Sequence, residues 1–473
     1  MIDYTMLDKR IDELQGELIA DIQKWVSIPS VQGAPEEGKP FGGVVANMLD
    51  LALETGRKYG FETRNVDYYA GDISMGGGEE TMGMLAHLDV VPAGEGWRHD
   101  PFGGEIADGR IFGRGTIDDK GSALCALYAM RAVKECGIPL KDGVRLILGC
   151  DEETGMSDMR YYASKYRMPD YGFSPDAEFP LINIEKGGVN ALLIRDCEGE
   201  AGADIPVLSI HAGKRPNVVP AYAEAVVDYR KAGFDRINAQ IEEIAKENNW
   251  QLRAKDLGDG TACISADGIL SHGSLPENGL NACGIVLIAL NKMNAGGGSR
   301  EAIRFAAEKL GLEPDGASLN IKQADELSHH LSCNMGIVNF DGKRFEITLD
   351  IRYPLCATES DIMGNICMAA SDYGFAVSCI SHHTPLHVPA EHKIVRGLLK
   401  VYNEIMHADA KPLAIGGGTY SRMMPNTVAF GVVFPDQEDC CHIADEYIEI
   451  DRLTTIVRLY AHAIVELAGG HIQ

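Results

Sequence analysis

The chain contains no Cys-x-x-Cys pair, and its 12 cysteines are scattered apart from the neighbours Cys440 and Cys441. That usage argues against a disulfide framework and for a reducing compartment, each thiol packing as a small apolar residue. No run approaches the ~20 apolar residues of a membrane span. The start, Met1-Ile2-Asp3-Tyr4, lacks the basic, apolar-cored pattern of a leader, so an unprocessed, soluble, cytoplasmic protein is expected. Positive charge is scarce: 43 Lys and Arg against 69 Asp and Glu leave a formal charge of −26. Such a surface repels phosphate backbones and anionic lipids, which excludes nucleic acid and membranes as partners. The GxxxxGK[ST] phosphate loop and the GxSxG elbow of serine hydrolases are both missing, as are short repeats and low-complexity tracts.

At 473 residues the chain is too long for one ordinary core, so two domains, or one domain with a large insertion, are expected. Ile11, Leu14, Leu18, Ile22 and Trp25 recur at helical spacing and predict an opening helix that ends before Ser27-Ile28-Pro29-Ser30. Thr81 to Ala86 and Val144 to Leu148 read as buried strands, with a helix from Gly121 to Cys136 between them. This alternation predicts an α/β sheet, with ligands gathered beyond the carboxyl ends of its strands, where His87 and Glu152-Glu153 fall. From about Gly188 to His383 the texture changes. Alternating segments, Ala223 to Tyr229 and Phe345 to Arg352, flank a helical Phe234 to Glu247, which predicts an inserted α+β domain. The chain then returns to a helix from Ile394 to Met406, a strand from Val428 to Phe434 and a last helix from Arg452 to Ala468. The expected division is 1–187 and 384–473 for a mixed-sheet catalytic domain and 188–383 for the insertion.

Several segments carry metal-ligand chemistry. His87-Leu88-Asp89 sets an imidazole and a carboxylate on one side of an extended segment, where the acid could orient the ring through its second nitrogen. Gly113 to Gly121 is a glycine-rich turn presenting Asp118 and Asp119 just before a helix, and either acid alone could be a plain helix cap. Asp151-Glu152-Glu153 crowds three acids at a strand end, a repulsion that a dication would relieve. One glutamate there could ligate while the other serves as general base. Asp176 and His442 complete a set of nitrogen and oxygen donors suited to zinc, manganese or cobalt. Each of these residues is ordinary on its own. The information lies in the ordered set.

That set, HLDVVPAGEGW, GRGTIDDKG, DEETG, PDAEFP, SHGSLPENGLNA, GGGTYSR and CHIADEY, resembles the aminoacylase and carboxypeptidase superfamily of co-catalytic zinc peptidases, most closely its PepV-type bacterial dipeptidases. The resemblance spans nearly the whole chain and implies a zinc-exopeptidase fold with a lid. It implies that Asp118 bridges two divalent ions, with His87 and Asp176 completing one site and Glu153 and His442 the other. It further implies that Asp89 holds His87, Glu152 is the general base, and Asp119 follows Asp118 through a cis peptide. In the lid, His272 would stabilise the oxyanion, while Asn217 and Arg352 would hold the substrate carboxylate. Outside the lid, Gly416 and Gly417, with Gly418, would add backbone donors to that carboxylate. The implied activity is hydrolysis of dipeptides or very short unblocked peptides by a water activated between two metal ions. An N-acyl amino acid deacylase or desuccinylase on the same scaffold is the alternative, and a non-catalytic relative a more distant one. Zinc is the metal the resemblance implies, and three carboxylates among five ligands also suit manganese. The large insertion, taking the place of a partner's lid, implies a monomer.

Overall fold

The computed structural model describes residues 3–197 and 203–470. The chain divides into two compact units, one of Met1–Ile184, Leu386–Leu413 and Gly418–Gln473, the other of Glu185–Pro385 with Ala414–Gly417. The boundaries thus fall at 184/185 and 385/386 rather than at 187/188 and 383/384. Ala414–Gly417, expected in the second part of the catalytic domain, groups with the inserted unit.

The first unit is built on a mixed sheet with helices packed against it. Its central strands run Glu62–Val66, Ala70–Met75, Gly143–Gly149, Thr81–His87, Tyr171–Ser174 and Thr427–Ala429 in spatial order. Thr81–His87 lies parallel to both Gly143–Gly149 and Tyr171–Ser174, and Thr427–Ala429 is parallel to the latter. Parallel strands buried on both faces read as continuous apolar runs, which is why Met82, Met84, Leu85 and Ala86 are all shut from solvent. The helix Thr5–Val26 turns Leu7, Ile11, Leu14, Leu18, Ile22 and Trp25 inward at the spacing the sequence shows. The helix Lys120–Glu135 is buried from Lys120 to Val133, and Ile450–Ala468 closes the same core.

The strand expected over Val428 to Phe434 ends at Ala429. Gly431 then takes φ 66°, a left-handed conformation that glycine tolerates and that breaks the pleat. The Phe179 ring fills the space a side chain on Gly431 would need. Phe430, Val432 and Val433 give their N–H groups to Ser174 and Ala177 instead, so the apolar run is buried without being a strand.

The second unit holds an antiparallel eight-stranded sheet in the order Gln251–Asp256, Thr261–Asp267, Tyr222–Asp228, Val207–Ala212, Ser332–Phe340, Arg344–Tyr353, Gly187–Asp196, Ala376–His383. Its own core includes the helices Phe234–Asn248, Ala282–Lys292 and Glu359–Ser371. Among the described residues all 12 cysteines are free, and no helix is long and apolar enough to cross a membrane.

Candidate metal centre

Three neighbouring parallel strands deliver the site at their carboxyl ends. His87 is the last residue of its strand and pairs in register with Gly149, after which the next strand over leads into Asp151-Glu152-Glu153. On the other side, Tyr171–Ser174 leads into Asp176. The lateral spacing of these segments is the strand spacing of the sheet, ~4.8 Å.

Asp118 stands between two histidines. Its Oδ1 lies 2.9 Å from His87 Nε2 and its Oδ2 2.9 Å from His442 Nε2. His442 Nε2 is also 3.2 Å from Glu153, and His87 Nε2 is 3.8 Å from Asp176. Ligand atoms of His87, Asp118 and Glu153 lie within 4.8 Å of one another, as do those of His87, Glu152 and Asp176. The second group gives Glu152 a ligand's place as well as a base's. The Asp118–Asp119 peptide is cis. Asp119 faces away, accepting the His87 N–H at 3.0 Å and pairing with the Ser122 hydroxyl.

Asp89 meets the His87 ring through its backbone carbonyl, with its carboxylate farther off. His87 Nδ1 is 2.9 Å from the Asp89 backbone carbonyl and 3.6 Å from the carboxylate. The strand stops at His87, so the rule that residues two apart share a face lapses there. The buried Asp89 carboxylate accepts instead from the Glu152 and Glu153 N–H groups, each at 3.2 Å. A carbonyl only accepts, so Nδ1 carries a proton and Nε2 is the nitrogen turned toward the carboxylates.

The electrostatics fit cations. Burial, reinforced by the neighbouring acids, pushes Glu152 and Asp176 well above the ordinary carboxylate range. His442, bonded to Asp118 and Glu153, is raised to about 11. Asp118 is held below its ordinary value by bonds to the two imidazoles despite the cost of burial. Ions of charge two among these two imidazoles and four carboxylates would offset the crowding of negative charge and compete with protons. The donor set fits zinc or manganese.

Sequence reasoning missed the residues that hold these side chains. Glu446 is fully buried and bonded to the turn of Asp118. Asp158 accepts from Cys150 N at 2.6 Å and Asp151 N at 2.9 Å and is bonded by the Tyr420 hydroxyl, which fixes the start of the acidic turn. Asp151, first of the three acids, is spent on Gln32 and Ser157 and takes no part in the cluster. Glu446 and Asp118, Tyr420 and Asp158, and Gln32 and Asp151 lie far apart along the chain, and no local pattern signals them.

All six residues of the cluster belong to the first unit, whereas Asn217, His272, Arg352, Gly416 and Gly417 belong to the second. There, Gly273 N–H bonds the Asn217 carbonyl at 2.7 Å, and Asn334 Nδ2 donates to Pro216 and Val218 carbonyls at 2.8 and 3.0 Å, fixing the Asn217 backbone. His272 Nδ1 accepts from the Ser274 N–H at 3.2 Å, so a neutral ring carries its proton on Nε2. Arg352 is forked onto the buried Asp350, Nε to Oδ2 at 3.2 Å and Nη2 to Oδ1 at 3.0 Å. A side-chain carbon on Gly416 would sit 2.5 Å from Ser274 Cβ, while Gly417 has nothing nearer than Ile415 Cδ1 at 3.6 Å.

The model for Peptidase family M20/M25/M40 matches residues 83–466, a stretch that includes the acid and imidazole cluster beyond the parallel strands. The chain belongs to that family and is a peptidase. It is 38% identical over 456 residues to the Bacillus subtilis (strain 168) protein named "Putative dipeptidase YtjP", covering 96% of this chain and 97% of that one. It is 32% identical over 469 residues to "Putative dipeptidase SH1171" of Staphylococcus haemolyticus (strain JCSC1435), covering 98% and 99%. The crystal structure of human carnosine dipeptidase 1 shares the fold, with a TM-score of 0.59 at 15% identity over 98% of each chain.

Proposed function

We propose that this peptidase is a dipeptidase that uses two divalent metal ions, zinc by default and manganese or cobalt by the same donor set. The observation that carries the reading is the placement of Asp118, one carboxylate oxygen toward each of two histidines. In this assignment His87 and Asp176 hold one ion, Glu153 and His442 the other, and Asp118 both. Bound cations would supply Lewis acidity to the scissile carbonyl and lower the pKa of water.

The chain's own groups do the rest. Glu152, its N–H fixed by Asp89 and its pKa raised toward the working range, takes the proton of the attacking water and passes it to the leaving amine. His272 offers its Nε2 proton to the developing oxyanion. Asn217 and the guanidinium edge of Arg352 not turned to Asp350 grip the substrate carboxylate, with backbone donors at Gly416 and Gly417. Both bacterial relatives are named as putative dipeptidases, which supports a short peptide substrate. The reading includes a cytoplasmic monomer.

The test is hydrolysis of Ala-Ala, β-Ala-His, Ala-Ala-Ala and N-acetyl-Ala by chelator-stripped protein, with and without added zinc or manganese. Metal-dependent cleavage confined to unblocked dipeptides is expected. Preference for the acetylated compound would replace the reading with a deacylase.

A further inference from the structure

Asp445 and Glu446 follow His442 closely and reach into two different segments. Asp445 accepts from Arg98 N at 2.8 Å and His99 N at 3.2 Å, and its other oxygen meets Arg98 Nε at 2.6 Å. Glu446 is buried completely. Its Oε1 takes three backbone N–H groups, those of Gly115 at 2.9 Å, Ile117 at 3.1 Å and Asp118 at 3.3 Å. Its Oε2 meets Arg114 Nη1 at 2.6 Å, and its carbonyl accepts the Gly113 N–H at 2.8 Å. Arg114 is itself only 1% exposed.

Two opposite charges so deeply buried are a poor device for stability, because their desolvation offsets their attraction and apolar residues of the same shape serve as well or better. An apolar pair, however, could not accept three N–H groups from one turn. Glu446 ties the turn that presents Asp118 to the segment that presents His442, and it neither faces the histidines nor takes part in proton transfer.

We propose that Glu446, neutralised by Arg114, is a positioning residue that sets Asp118 astride His87 and His442, so that metal affinity depends on it. The inference rests on the metal reading above.

Two double variants separate positioning from mere stability. Arg114→Met with Glu446→Gln keeps an oxygen for the turn without the buried charges, whereas Arg114→Met with Glu446→Leu removes the acceptor altogether. The stripped proteins are titrated with zinc(II) against a chromophoric chelator, with folding followed by near-UV circular dichroism. The glutamine variant is expected to bind zinc as the unsubstituted chain does, and the leucine variant to bind at least one ion about 10–100-fold more weakly, the range typical of lost support behind a ligand. Should the leucine variant not fold, Glu446→Asp, which keeps the charge pair but withdraws the oxygen from the turn, is expected to show the same weakening. Equal zinc affinity in the two double variants, or an unchanged affinity in Glu446→Asp, overturns the proposal. An unsubstituted chain that binds no zinc overturns the metal reading and this inference together.

Discussion

Asp118 Oδ2 lies 2.9 Å from His442 Nε2 while the other oxygen of the same carboxylate is engaged by His87. Asp118→Asn keeps the shape and removes the charge that two ions would share on the proposed reading. Metal content after gel filtration is expected to drop, and Ala-Ala turnover to fall by more than the roughly 100-fold that loss of an outer support reaches. An asparagine variant retaining both ions and normal turnover would remove Asp118 from the centre.

Glu152→Ala separates base from ligand. As the proton acceptor, Glu152 is expected to contribute about 10²–10⁴-fold to kcat, with both ions still bound in its absence. Because Glu152 also lies among atoms that could ligate, loss of one ion on substitution would reassign it.

Removing metal leaves the acids facing one another. Glu152 and Asp176 have folded pKa values raised above their ordinary 4.5 and 3.8, so the native state binds more protons than the unfolded one and stability falls as pH rises above that range. His442, raised from 6.5 to about 11, acts in the same direction: its contribution is complete below pH 6.5 and is lost as pH climbs toward 11. The stripped protein is therefore expected to lose thermal stability between pH 5 and pH 9, and the metal-loaded protein to lose less. Scanning calorimetry of both forms across that window checks this, and parallel curves would count against a metal at the cluster.

Gly416 and Gly417 make unequal demands. Gly416→Ala would press on Ser274, whose N–H sets the tautomer of His272. Turnover is expected to fall toward the about 10²–10³-fold loss of a His272→Ala variant, the usual cost of one oxyanion donor, with metal content unchanged. Gly417→Ala has room and is expected to keep near-normal kcat; equal damage from both substitutions would disconnect Ser274 from the reaction.

Much of the first unit was legible because its signals are local. The spacing from Ile11 to Trp25 predicts a helix, the runs ending at His87 and before Asp151 predict buried strands, and their carboxyl ends place His87 and Glu152-Glu153. What escaped is non-local. Glu446 and Asn334 act through hydrogen bonds to distant backbone, and Tyr420 through a bond to the distant Asp158 carboxylate, which leave no periodicity to read. Val428 to Phe434 was misjudged because an apolar run shows burial without revealing that Gly431 turns the chain. Ala414–Gly417 meets the second unit through the Lys186 N–H given to the Ile415 carbonyl and the approach of Gly416 to Ser274, which no composition shift announces.

The division of residues between the two units separates two kinds of inheritance. On the proposed reading, substitutions in Glu185–Pro385 or Ala414–Gly417 would alter how a peptide is gripped and leave all six cluster residues as they are. Descendants of this chain could then change what they digest while inheriting the six cluster residues intact.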